Sequence, residues 1–229
     1  MMQPPAANCR TPDAPAVVCF ALKEEAAPFR KITAGKSDVA ILVTGIGRLK
    51  AERSVREYLT SNCPKLMLAC GFAGGLDPAL KLGEVVFELS DSEIRDPRSA
   101  IRNSLLAAGA KPATFYCADR IATAVADKRK LRTETGADAI DMESAAIHAV
   151  CRERGIPCAT VRVISDAANE DLPLDFNRLS KPDQSLDYGK LFLAIAKSPG
   201  KIGALIEFHK NTRFAAKQLA AVLAKVTSP

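Results

Sequence analysis

Short apolar runs alternate with amphipathic stretches along most of this chain. Residues 16–21, 39–43, 65–70, 84–89, 113–116, 137–141 and 158–164 read as strands: brief, rich in Val, Ile, Ala, Leu and Cys, and closed by Gly, Asp or Thr. Between them, residues 48–60, 99–108, 124–135 and 144–154 space their apolar positions at the helical period. Strands separated by helices imply a largely parallel sheet covered on both faces, an α/β layered fold. The pattern changes near the C-terminus. Residues 192–196 read as a short helix, Ser198-Pro199-Gly200 interrupts, and residues 202–226 form one long helix. On a helical wheel Ile202, Leu205, His209, Ala216, Leu219, Leu223 and Val226 share one side. Glu207, Lys210, Arg213, Lys217 and Gln218 share the other, which Phe214 interrupts.

The layout is therefore a Pro- and Ala-rich disordered tail (residues 1–15), a single domain (16–197) and a basic amphipathic helix (198–229) packed on the domain or on a membrane surface. A chain of 229 residues with 48% apolar and 25% charged residues buries a substantial core. No run approaches the length of a membrane span, and the N-terminus lacks the apolar stretch of a signal peptide. The net charge of +6 is concentrated at the end: from Lys190 onward there are seven Lys/Arg and one Glu, which leaves the body neutral. A nucleic-acid-binding surface is not expected from such a body. Seven cysteines form no CxxC pair, and several sit in apolar runs such as Val17-Val18-Cys19-Phe20, so they read as reduced core residues of a cytoplasmic protein. With two histidines in the chain, a His-based metal site or triad is not expected, and the chemistry falls to carboxylates.

Four places carry that chemistry. Gly45-Ile46-Gly47 joins a strand to a helix, but a dinucleotide fingerprint needs a third Gly at position 50, which is Lys. The turn either packs closely or offers helix-start N–H groups to a small polar or anionic subsite. Gly71-Phe72-Ala73-Gly74-Gly75 is a second glycine-rich strand end, either a plain turn or a surface on which a flat ligand lies against the backbone. Glu24-Glu25 opens a helix, where acids suit the dipole. Asp141, Met142, Glu143 and then Arg162, Ser165, Asp166 close two consecutive strands. Asp141 faces the same side as Glu143 or caps the next helix. Met142 is a core residue unless it borders a sugar. Arg162 and Asp166 form a structural ion pair or belong to a site, since an arginine within an apolar strand is costly to bury without a purpose. In open α/β sheets ligands bind at the carboxyl ends of strands. Two carboxylates there can hold a sugar and protonate a leaving group.

Ala21-Leu-Lys-Glu-Glu25, Thr44-Gly-Ile-Gly47, Gly71-Phe-Ala-Gly-Gly-Leu76, Asp141-Met-Glu-Ser144 and Arg162-Val-Ile-Ser-Asp166 occur in the order seen in one superfamily. Over residues 16–170 the chain resembles the purine and uridine nucleoside phosphorylases, and within them the methylthioadenosine/S-adenosylhomocysteine nucleosidases. The resemblance implies a three-layer αβα sandwich with a twisted mixed sheet, a homodimer, and no metal or organic cofactor, with water or phosphate as co-substrate. It assigns Asp166 to the purine N7, with Arg162 and Ser165 supporting its loop. Glu143 would hold the ribose hydroxyls, Met142 would pack on the sugar, and Glu25 would activate water. Phe72, Ala73, Gly74 and Ile121 would border the base or nucleophile, and Gly45 and Gly47 would line the polar subsite. Phosphorylases of the superfamily carry Arg and Ser/Thr where this chain has Ala69 and Phe72, which places hydrolysis ahead of phosphorolysis. The stretch between Leu89 and Arg120 is shorter than in the nucleosidases, which implies a more open pocket for the 5′ group. The tail beginning Ser198-Pro-Gly-Lys201 resembles the hopanoid-biosynthesis-associated group, whose 5′ substituent is a lipid, and implies a possible peripheral contact of residues 201–226 with the inner membrane face. The competing expectation is a non-catalytic nucleoside-binding or membrane-scaffold protein on the same fold.

Overall fold

The computed structural model describes residues 14–89, 100–179 and 199–227. The expected helix at 192–196 and nearly all of the expected tail lie outside these. The last two tail residues are docked: Ala14 is buried, and the Pro15 carbonyl accepts the Lys65 N–H at 3.3 Å.

Strands β1 (Ala16–Phe20), β2 (Val39–Val43), β3 (Leu66–Gly75) and β8 (Cys158–Asp166) run parallel in the order β2-β1-β3-β8. Strand β4 (Val85–Leu89) adds to β8 antiparallel, and the short β5 (Lys111–Pro112) lies parallel to β4. Strand β7 (Ala139–Asp141) pairs antiparallel with the end of β3 and parallel with β6 (Phe115–Cys117). The sheet is mixed, and helices cover both of its faces.

Alternation along the central strands assigns the layers, because successive side chains of a strand leave opposite faces. Val18, Phe20, Leu68, Cys70, Val161 and Val163 point to one side, where α1 (Lys23–Ile32), α3 (Ala100–Ala108) and α7 (Ile202–Val226) pack. Val17, Cys19, Met67 and Ala69 point to the other, against α2 (Arg48–Tyr58) and α5 (Ser144–Glu153). Cys19, Cys70, Cys151 and Cys158 are buried free thiols in these layers, whereas Cys63 is disulfide-bonded, unlike the reduced residue expected. Helix α7 divides along its length. Ala215, Leu219, Ala220 and Leu223 are buried in the first core, while Ile202, Ile206 and His209 on its first half are exposed. Its wheel is amphipathic throughout; among the described residues the sheet covers its C-terminal part, and Phe176 packs on Phe208 in the first half.

Two strands are longer than the apolar runs suggest, and both extensions build the site. Strand β3 continues through Gly71-Phe72-Ala73-Gly74-Gly75, so this stretch is the strand's own extended end and not a turn. It pairs with β8 up to Gly74 opposite Asp166, with a register shift between Ala73 and Gly74. Strand β8 likewise runs to Asp166, making the acid its last residue. Ladder hydrogen bonds from two neighbours hold the polar and glycine-rich ends extended where the apolar pattern has stopped.

Candidate active site

The site forms where β1, β3, β7 and β8 end. Of the two acids opening α1, Glu24 is exposed and Glu25 is buried. Glu25 Oε2 accepts the Leu22 N–H at 2.9 Å, reaching back over the helix start as the acidic half of a capping box does. Its Oε1 accepts the Phe72 N–H of β3 at 3.0 Å. Burial pushes the Glu25 carboxyl from 4.5 up to about 7, against the lowering pull of the Phe72 N–H and of Arg162. The folded chain thus takes up a proton here between pH 4.5 and about 7 that the unfolded chain does not. From this group alone, stability falls as pH rises through that window.

Glu143 is the last residue before α5, and its buried carboxylate sits between two elements. Oε1 accepts the Gly47 N–H at 2.8 Å, and Oε2 lies 3.2 Å from Arg162 Nη2. Gly47 caps α2, so the anion at that helix start is the protein's own glutamate, and the Gly45–Gly47 turn serves to place it. Gly45 and Gly47 have φ of 85° and 89°, backbone that only glycine adopts freely. Burial raises the Glu143 carboxyl above its ordinary value, with Arg162 opposing and Asp141 reinforcing the shift. Asp141 does both jobs open to it: it faces the cluster and also caps α5, accepting the Ser144 N–H at 3.0 Å and Ser144 Oγ–H at 2.7 Å.

Arg162 is fully buried in β8. Its Nη2 pairs with Asp141 and Glu143, and its Nη1 donates to the Cys70 carbonyl at 3.1 Å. Burial opposes its charge, but the carboxylates of Asp141, Glu143 and Glu25 outweigh that and keep it protonated. The expectation that Arg162 pairs with Asp166 or supports its loop is therefore corrected: this cation serves Asp141 and Glu143. Asp166 finds its counter-ion elsewhere, in Lys128 of α4 (Val125–Thr135), whose Nζ lies 2.6 Å from Oδ2. Ser165 does support Asp166 directly, its Oγ–H donating to Oδ1 at 2.6 Å.

The glycines of β3 are the floor on which these groups meet. A Cβ on Gly71 would stand 2.7 Å from Arg162 Nη1 and 2.9 Å from Glu25 Oε1, and one on Gly74 would stand 3.3 Å from Asp166 Oδ2. Three residues of strand separate the two glycines by roughly 10 Å, the scale of a nucleoside. Gly71 also has φ of 138°, which disfavours any side chain. Gly71→Ala is expected to destabilise the protein by roughly 1–3 kcal/mol through overpacking and to displace Glu25 from the Phe72 N–H. Thermal unfolding and the activity assay below check this.

Of the remaining candidates, Phe72 and Ala73 belong to the floor strand itself. Ala73 is buried, whereas Phe72 and Met142 are half-buried. Ile121 lies between β6 and α4, and the carboxamide of Asn177, in the one-turn helix α6 (Phe176–Leu179), grips its backbone. Ile121 N–H donates to Asn177 Oδ1 at 2.9 Å, and Asn177 Nδ2 donates to the Ile121 carbonyl at 2.8 Å. Sequence reasoning missed both Asn177 and Lys128. Lys128 sits in the charged run Asp127-Lys128-Arg129-Lys130, which reads as a solvated face. The available signal is its spacing from Ala124 and Leu131, which puts it on the apolar side of α4. His148 bonds Thr160 Oγ1 at 2.9 Å. Among the described residues, no three His, Cys, Asp or Glu side chains gather as metal ligands, and no helix is long and apolar enough to cross a membrane.

An open mixed sheet whose strand ends deliver buried carboxylates and an arginine to a glycine floor defines a class, and the comparisons agree with it. The chain belongs to the phosphorylase superfamily, whose family model matches residues 18–96 and 92–227. Among its relatives, the 5′-methylthioadenosine/S-adenosylhomocysteine nucleosidase of Shewanella halifaxensis is 29% identical over 175 residues, covering 63% of this chain and 74% of that protein. In fold it is similar to futalosine hydrolase of Helicobacter pylori (TM-score 0.66, 16% identity, 93% of this chain and 97% of that one). It is likewise similar to the 5′-methylthioadenosine/S-adenosylhomocysteine nucleosidase of Campylobacter jejuni (TM-score 0.65, 17% identity, 93% and 98% covered).

Proposed function

We propose that this protein cleaves the N-glycosidic bond of a 5′-modified adenosine by hydrolysis and releases adenine. The observation that carries the reading is the arrangement of Glu25, Glu143 and Asp166 along one glycine-floored strand, Glu25 beside Gly71 and Asp166 beside Gly74; in the proposal the first end takes the sugar and the second the base. Cleavage passes through an oxocarbenium-like state, which carboxylates near the ribose stabilise, while the leaving purine takes a proton at N7. Glu143 accepts the ribose hydroxyls. Asp166 serves the purine, and Glu25 draws the proton from attacking water. The relatives similar in sequence, which are 5′-methylthioadenosine/S-adenosylhomocysteine nucleosidases, support the same bond.

Hydrolysis is supported by what stands where a phosphate grip would be. Ala69 is buried in the core, and the Phe72 ring packs on the opposite core layer, so neither offers a donor to an anion. A glutamate poised at about 7 is suited to deprotonating water near neutral pH. It must be ionised to do so. Hence kcat/KM is expected to fall about tenfold per pH unit below about 7 and to level off above it; a profile flat from pH 5 to 8 removes Glu25 as the base.

The test is to incubate the protein with 5′-methylthioadenosine, with and without phosphate, and to measure adenine. Equal release in both supports hydrolysis, and release that requires phosphate overturns it. A parallel assay with a lipid-linked adenosine reads the 5′ group: turnover there alone places the enzyme with lipid substrates.

A further inference from the structure

Lys128 has no exposed surface, although its neighbours on α4 are solvated. A lysine is seldom buried completely unless it is paired, and this one is saturated. Its ammonium donates to Asp166 Oδ2 at 2.6 Å, to the Ala167 carbonyl at 2.8 Å and to the Glu170 carbonyl at 2.8 Å. Those contacts use all three N–H groups and span the turn that follows β8. The other groups near this turn are committed. Glu170 Oε2 accepts the Ala167 N–H, Asp171 Oδ1 accepts the Val125 N–H at the start of α4, and Arg162, Asp141, Glu143 and Glu25 form the separate cluster across β3. Among the described residues, Lys128 is the cation in contact with Asp166.

We propose that Lys128 is the positioning residue for departure of the base: it fixes the direction of Asp166 and supplies the charge that stabilises its carboxylate once its proton has passed to the purine. The inference rests on the N-glycosidic reading above. In the step, which starts with a proton on Asp166 shared with the bound purine, the electron pair of the C1′–N9 bond moves to the purine and that proton goes to N7. Asp166 is left as a carboxylate between the Lys128 ammonium and Ser165 Oγ–H. A fixed charge aimed at developing negative charge in a dry site lowers the barrier at little reorganisation cost. The same ammonium holds the carbonyls of residues 167 and 170, so the acid and the turn beyond it move as one body.

The experiment compares wild type, Lys128→Met and Lys128→Ala in adenine release across pH, with Tm and adenine affinity measured on each. Lys128→Met is expected to lose at least tenfold in kcat with KM changed less. The Glu25 limb should stay at about 7. Propylammonium added to Lys128→Ala should restore part of kcat. A lower Tm with unchanged kcat makes Lys128 a structural staple and overturns the proposal. If Lys128→Met does not fold, the Ala variant with amine decides, and recovery of Tm without recovery of kcat counts against it. Absence of turnover by wild type sinks the N-glycosidic reading instead. The inference then stands on adenine affinity, expected to fall tenfold in Lys128→Met; equal affinity, or none in wild type, ends it.

Discussion

Asp166→Asn is expected to fold and to lose adenine release by about 10²–10⁴-fold, the range for a positioned general acid. Asparagine matches the shape of the side chain, and its carboxamide oxygen can still accept from Lys128. The turn after β8 should therefore persist, and Tm should change little. What is lost is the carboxyl proton, which under the proposed function passes to N7. Ser165 Oγ–H, already donating to Asp166, is too weak an acid to substitute. Steady-state adenine release together with thermal unfolding separates this outcome from misfolding. An active Asp166→Asn enzyme would remove the acid from the account, whereas nucleoside binding unchanged in Asp166→Asn with no turnover by wild type would favour a non-catalytic site.

Arg162→Met should produce the largest loss of stability, about 3–5 kcal/mol. The guanidinium is the cation shared by Asp141 and Glu143, both buried, and its removal leaves two carboxylates facing each other without compensation. Against a typical total of about 5–15 kcal/mol, this lowers Tm by roughly 10 °C for a chain of this size. The loss has a pH signature. Glu143 already holds its proton above the ordinary range because it is buried, and without Arg162 it holds it more tightly still. The variant should therefore be least stable at high pH and regain stability as acid neutralises Glu143. Adding Glu143→Gln to Arg162→Met should return part of the loss. Chemical denaturation at pH 5 and pH 8 checks both, and equal destabilisation at the two pH values contradicts the charge argument.

How much was legible in the sequence divides along a physical line. Where one face or both faces of an element are apolar, the reading and the structure agree: β2 at 39–43 and α7 at 202–226 match to the residue, and Val17 and Val18 separate onto two layers as alternation requires. The reading stopped short where backbone pairing rather than apolar burial carries the strand. Gly71–Gly75 and Ser165–Asp166 are held extended by neighbouring strands, a contact at long sequence separation that local pattern does not encode. The acids were legible because carboxylates beside strand ends are unusual. Their partners were not. Arg162 lies four residues before Asp166, so spacing suggested that pair, yet its guanidinium turns to Asp141 and Glu143. Lys128 comes from a helix 38 positions upstream of Asp166, and only three-dimensional packing turns it inward from a charged run.

The central claim is that this glycine floor holds a purine nucleoside while its N-glycosidic bond breaks. The most direct measurement is time-resolved chromatography of 5′-methylthioadenosine incubated with the purified protein at pH 7.5 (roughly neutral, where Glu25 is ionised). Adenine and free 5′-methylthioribose appearing in equal amounts, without phosphate and at a rate abolished by Asp166→Asn, is the predicted result. Nucleoside bound but recovered intact, from this substrate and from a lipid-linked adenosine alike, contradicts it.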